Sequence, residues 1–267
     1  MSRHVAEAFA LAKSENRSAL IGYLPAGFPT PQMSVQLINA MVASGVDIIE
    51  VGLPYSDPLM DGPVIQQAVN QALDAGTTTD VVLDIVRQVV DAGAIAVVMS
   101  YWNPIERYGV KKFAAGLQAA GGSGVIAPDL TPEEAADWAA ATIEHDIDRV
   151  FMVAPSSTPA RIAAIVGVTT GFVYAASTMG VTGARTTVSS GAHDLVSRTR
   201  EHTSLPIAVG LGVSTGDQAA EIAAYADGVI VGSAFVRRVL DAPTDEAAIA
   251  GVSELAQELA AGVRRST

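Results

Sequence analysis

Eight short apolar runs recur along the chain, each closed by a Gly, Pro or Ser turn and followed by a longer helical pattern. They are ALIGYL (19–24), VDIIEVG (46–52), IAVVMSY (95–101), GVIAPD (124–129), RVFMVA (149–154), FVYAAS (172–177), PIAVGLG (206–212) and GVIVGS (228–233). Each is apolar on both faces, the pattern of a parallel strand covered from two sides. Helix starts fall between them: Thr30-Pro31, Thr131-Pro132 with Glu134 as a capping box, Ser157-Thr158-Pro159, and Ser214-Thr215-Gly216-Asp217. Strand and helix alternating in this way over 267 residues predict a single (β/α)8 TIM barrel, an α/β fold spanning 1–267, with a short N-terminal helix over 1–17 covering the barrel bottom. The competing open, doubly wound sheet usually carries a G-x-G-x-x-G turn after its first strand, and GYLPAGFP does not match it.

Composition narrows the function. The chain is 49% hydrophobic, yet no stretch approaches the roughly eighteen unbroken apolar residues of a spanning helix. The first residues carry Glu7 within their apolar part and lack a small-residue cleavage signal, so they read as an amphipathic helix rather than an export signal, and a cytoplasmic location is expected. With no cysteine there is no disulfide, thiolate nucleophile or thiolate metal site. A net charge of −12 disfavours nucleic acid and membrane partners. An anionic small substrate stays open, because local dipoles can hold it against the global field.

Two carboxylates flank the loop in EVGLPYSDPLMDGP. Along VDIIEV the side chains alternate, so Val46, Ile48 and Glu50 share a face. Val46 and Ile48 suit the barrel interior, which puts Glu50 at its top, pointing inward. Removed from water, a carboxyl there keeps its proton towards neutrality and can serve as general acid, then base. A buried ion pair is the structural alternative. It lacks a cation, since Lys13, Lys111 and Lys112 lie outside the runs and Arg149 starts a strand at the opposite end. From local pattern alone Asp61 and Asp57 read first as ordinary turn residues, and Asp129, at a strand end before a helix start, fits a structural role as well as a functional one.

Gly-containing turns follow the sixth, seventh and eighth runs: STMGVTGA (177–184), GLGVS (210–214) and GSAF (232–235). Barrels commonly hold a phosphate there, with glycine backbone and a helix N-terminus as donors. Gly212, Gly232 and Ser233 fit that task and Gly183 adds a further donor; tight strand–helix turns are the alternative. The Gly/Ser/Thr-rich stretch 177–193 reads as a lid beside such a site. No run carries a lysine for a Schiff base, and His4, His145, His193 and His202 are scattered outside the runs, so no metal site is expected. Acid–base chemistry by carboxylates on a phosphorylated substrate remains.

ALIGYLPAGFP, DIIEVGLPYSDPLMDGP, YAASTMGVTGAR, VGLGVS and ADGVIVGSAF, in this order over nearly the whole chain, resemble the tryptophan synthase alpha subunit family. The resemblance implies cleavage of indole-3-glycerol phosphate to indole and glyceraldehyde 3-phosphate. It implies no cofactor in this chain, and a beta subunit that uses pyridoxal phosphate and joins the alpha chain in an alpha2-beta2 heterotetramer. It implies Glu50 and Asp61 as the catalytic acids, with Tyr174, Tyr23, Leu211 and Thr182 beside the substrate. It implies Gly183, Gly212, Gly232 and Ser233 on the phosphate, 54–61 and 177–193 as mobile loops, and partner contacts at Pro54, Asp57, Asn103 and Asp129. Many members have Phe where Tyr23 and Leu211 stand, and a small residue at Met60, which alters the shape of the pocket. Another phosphosugar barrel enzyme, an isomerase or epimerase, and a mainly regulatory subunit that activates its partner remain as alternatives.

Overall fold

The computed structural model describes residues 4–176, 190–210 and 212–265. Its strands are β1 (Ala19–Pro25), β2 (Ile48–Gly52), β3 (Ile95–Met99), β4 (Gly124–Ile126), β5 (Asp148–Val150), β6 (Met152–Val153), β7 (Val173–Ala176), β8 (Ile207–Gly210) and β9 (Gly228–Val231). All pair in parallel, in the order β5-β4-β3-β2-β1-β9-β8-β7-β6. The two ends of that order are halves of one strand divided at Phe151. The Val150 carbonyl accepts from Ala127 N at 3.3 Å on one edge, and the Phe151 carbonyl accepts from Tyr174 N at 3.1 Å on the other. Nine assigned strands, two of them halves of one, therefore make a closed ring of eight, each element coinciding with one of the apolar runs.

The helices are α1 (Val5–Ser14), α2 (Pro31–Ala43), α3 (Pro63–Asp74), α4 (Thr79–Asp91), α5 (Trp102–Tyr108), α6 (Val110–Ala119), α7 (Ala136–Glu144), α8 (Pro159–Val168), α9 (Ser190–Arg200), α10 (Gly216–Ala223), α11 (Ser233–Leu240) and α12 (Asp245–Val263). Threonine hydroxyls start several of them. Thr30 accepts from Met33 N at 3.2 Å, Thr158 from Arg161 N at 3.2 Å and Thr215 from Gln218 N at 3.3 Å. The expected capping box at Thr131 does not start a helix. Its hydroxyl bonds Glu134 Oε2 at 2.8 Å within a turn, and α7 begins later, at Ala136.

Two apolar layers result. Leu20, Leu24, Ile49, Val51 and Val98 pack outward against the helices, while Ile21, Ile48, Val97, Phe172 and Ile230 fill the barrel. Val5, Ala8, Phe9 and Ala12 of α1 join the inner layer, with the Phe9 and Phe172 rings 5.5 Å apart, so the N-terminal helix closes the bottom of the barrel. Val46 departs from expectation. It precedes β2, where the pleat has not begun, and packs in the outer layer, whereas Ile48 faces inward as the alternation requires.

One ion pair ties the barrel floor together. Arg17, between α1 and β1, grips Asp47 with two hydrogen bonds of 2.7 and 2.8 Å, and Asp47 Oδ2 also accepts from Leu20 N at 2.8 Å. The two side chains are only 3% and 12% exposed, and although Arg17 Nε keeps Glu15 as a second partner at 2.6 Å, removing Asp47 leaves the other guanidinium nitrogens and Leu20 N without their shared acceptor in a poorly solvated site. Asp47→Ala is expected to lower stability by about 3 kcal/mol in urea denaturation. A loss below about 1 kcal/mol would assign the pair no more weight than a surface bridge.

Candidate active site

The carboxyl ends of the strands enclose one pocket lined by Tyr23, Glu50, Asp61, Tyr174, Gly212, Gly232 and Ser233, with Met60, Ile65, Met99, Ile126, Met152 and Ile230 as its apolar walls. Tyr23 of β1 and Glu50 of β2 stand side by side in register. Two glycines make room for the tyrosines. A Cβ at Gly52 would sit 2.5 Å from the Tyr23 hydroxyl, and one at Gly210 2.1 Å from that of Tyr174. The rings thus lie across the backbone of the neighbouring strand, one on each side of the pocket.

Glu50 is 5% exposed and no described residue hydrogen-bonds its Oε2. A buried polar atom left without a partner is unusual and calls for an explanation. At the rim, α11 starts at Gly232 without a side-chain cap. The Phe235 and Val236 amides turn back to the Gly232 carbonyl, and no described residue accepts from those of Ser233 and Ala234. Gly212 lines the same pocket with φ +116, a backbone shape that side chains rarely adopt. Such a helix N-terminus suits an anion.

A family model described as "Tryptophan synthase alpha chain" matches residues 9–264. The chain belongs to the tryptophan synthase alpha chain family. It is 62% identical over 256 residues to the tryptophan synthase alpha chain of Thermobifida fusca (strain YX), covering 95% of each chain. It is 57% identical over 261 residues to that of Acidothermus cellulolyticus, covering 98% of this chain and 97% of that one. A solved structure of Mycobacterium tuberculosis tryptophan synthase superposes with a TM-score of 0.92 at 52% identity, covering 99% of both chains. The family's activity is the lyase half-reaction of tryptophan synthase, in which indole-3-glycerol phosphate is split into indole and glyceraldehyde 3-phosphate.

Among the alpha-chain residues singled out in the sequence, Glu50, Asp61, Tyr23, Tyr174, Gly212, Gly232 and Ser233 converge on the pocket. Thr182, Gly183 and Leu211 lie outside the described residues, as does most of the stretch 177–193. The four expected partner contacts lie elsewhere. Asp57 and Asn103 are exposed and Pro54 is buried in the isolated chain. Asn103 Nδ2 donates to the Tyr55 hydroxyl at 2.8 Å, and Asp129 accepts from Trp102 N at 2.9 Å, holding the start of α5. Sequence reasoning missed Tyr101, whose hydroxyl donates to Asp61 Oδ1 at 2.9 Å. The signal that could have found it is a tyrosine at the end of an otherwise aliphatic strand run.

Burial, and then the neighbouring charge of Asp61, push the Glu50 carboxyl from 4.5 up to about 8, so it keeps its proton at neutral pH. Burial holds Asp61 above its ordinary value as well, and the Tyr101 hydrogen bond offsets only part of that rise. Tyr23 and Tyr174 are held well above the ordinary phenol range, by burial first and by the carboxylates second. For Glu50 the folded pKa exceeds the unfolded one, so the native state binds the extra proton and stability falls as pH rises from 4.5 to about 8. Glu50→Gln is therefore expected to gain on the native protein between about pH 5 and pH 8, by roughly 2–4 kcal/mol at the upper end. Urea denaturation at both pH values measures it, and a gap that stays constant with pH would mean that Glu50 is already charged.

Proposed function

We propose that the chain performs its family's cleavage with Glu50 as general acid and base and Asp61 as the anion that faces the indole N–H. The observation that supports this most is the Glu50 Oε2 that no described residue bonds, buried beside a second carboxylate in a pocket walled by apolar side chains. A protonated Glu50 delivers its proton to carbon 3 of the indole ring. The ring becomes an indoleninium, able to take up the electron pair of the bond that breaks. The ionised Asp61 stabilises the electron-poor N–H, and Glu50, now a carboxylate, removes the proton of the side-chain hydroxyl as that bond opens. The electrons return to the ring as indole, and the aldehyde of glyceraldehyde 3-phosphate forms. Two acids whose surroundings push their pKa values apart can divide such roles.

The phosphate is held by the amides at the start of α11 that have no acceptor among the described residues and by the Gly212 backbone, with Tyr23 and Tyr174 bracketing the ring end. The chain works with a beta subunit in an alpha2-beta2 assembly, through a face that includes Asp57 and Asn103 and is joined by Pro54 and Asp129. That subunit carries the pyridoxal phosphate. The solved tryptophan synthase to which this chain is similar supports the pairing. A cytoplasmic site of action accords with the absence of any described helix long and apolar enough to cross a membrane.

Glu50→Gln should abolish indole release while leaving the fold intact by circular dichroism; near-normal turnover would refute the assignment. Asp61→Asn keeps the shape and removes the charge, and should slow cleavage by at least about tenfold, or 1.4 kcal/mol of barrier. A smaller loss would put the N–H contact elsewhere. Activity on pentose phosphates in place of indole-3-glycerol phosphate would instead favour a phosphosugar isomerase.

A further inference from the structure

Tyr101 is the N-cap residue of α5, one residue beyond Ser100 and the end of β3, and it is 2% exposed. Its hydroxyl makes two contacts at once. It accepts from Met60 N at 2.9 Å and donates to Asp61 Oδ1 at 2.9 Å. A phenol carries a single hydrogen. Because a backbone amide supplies the first contact, that hydrogen is left to point at the carboxylate. The same hydroxyl thus pins both the backbone of residue 60 and the side chain of residue 61.

The ring is held on its outer side too. Tyr55, from the same loop as Asp61, lies 5.7 Å away at 43°, and Asn103 Nδ2 fixes the Tyr55 hydroxyl at 2.8 Å. Ser100 Oγ donates to the Tyr101 carbonyl at 2.7 Å. Gln66 Nε2 donates to the Asp61 carbonyl at 2.6 Å, so the acid's backbone is secured from α3. No described residue donates to Asp61 Oδ2, which leaves that oxygen for the pocket.

We propose that Tyr101 is a positioning residue for Asp61, clipping the loop after β2 to the end of β3 so that one carboxylate oxygen is spent on the clip and the other faces the substrate. This rests on the assignment of Asp61 as the anion at the indole N–H. A buried carboxylate tends to take up a proton, and a donated hydrogen bond opposes that tendency. Tyr101 therefore sets both where the charge lies and the pH below which it is lost. Among the described residues, the titratable groups facing Asp61 are Glu50 on β2, Tyr23 on β1 and Tyr101 itself.

The test uses the full chain with its beta subunit and measures indole release from indole-3-glycerol phosphate across pH. Tyr101→Phe keeps the ring against Tyr55 and deletes both hydroxyl contacts. Its kcat should fall about tenfold with KM changed far less, and the acid limb of kcat should move to higher pH, because Asp61 loses the donor that holds its pKa down. In an Asp61→Asn background the same substitution should cost less than about twofold, since the clip has no charge left to orient. Tyr55→Phe, which loses only the Asn103 bond, should stay within about twofold of the native protein and reports whether the aromatic pair tolerates change. An unmoved acid limb, or an equal loss in both backgrounds, overturns the positioning role. Slow Asp61→Asn with normal Tyr101→Phe sinks this proposal alone; fully active Asp61→Asn sinks the role of the acid and the proposal with it.

Discussion

A carboxyl group buried at the mouth of the barrel, with one oxygen that no described residue bonds, is the constraint around which the upper half of this molecule is organised. Beneath Glu50 the barrel is filled by Ile21, Ile48, Val97 and their neighbours and closed below by α1, so its surroundings on that side are apolar. Around it stand the rings of Tyr23 and Tyr174, admitted because Gly52 and Gly210 have no side chain. A charge there would lose most of its hydration, and the lowest-energy answer at neutral pH is to keep the proton. The packed floor therefore serves chemistry as well as stability, since it sets the dielectric in which the acid sits.

The second acid shows how surroundings separate two residues of the same kind. Glu50 has burial and the charge of Asp61 acting together upward. Asp61 has burial acting upward and a phenolic donor acting downward. In the proposed reaction the first must give a proton and the second must remain an anion, and the hydroxyl of Tyr101 is one of the differences between their surroundings, beside the deeper burial of Glu50. The aromatic pair behind it, ending at the exposed Asn103, links that environment to a surface beside Tyr55 and Pro54.

Much of this architecture could be read along the chain, because the signals were local. Each apolar run became strand, and Thr30, Thr158 and Thr215 became caps, since a strand needs only its own two-sided apolarity and a cap only the amide three residues on. The inward turn of Glu50 followed from alternation with Ile48. Where the local signal met tertiary demands it lost. The Thr131–Glu134 pair formed its hydrogen bond inside a turn, and Val46, two residues before the strand, followed the outer layer rather than the pleat. Tyr101 could not be read as part of the site, because the loop residue it clips lies 40 positions earlier and meets it only once β2 and β3 are side by side.

The amino-acid sequence by itself determined the fold class and the chemical inventory: eight two-sided apolar strands, helices between them, two acids around one loop, glycine turns after the last strands, and neither a strand lysine nor a cysteine. Residue types and their periodicity suffice for that, since both are properties of neighbours along the chain. Only the tertiary structure decided that Glu50 holds its proton, that Asp61 is met by a phenol, and that the start of α11 opens onto the same pocket. Desolvation and hydrogen-bond donation depend on which atoms surround a group in space, and that is settled only when the ring of strands closes.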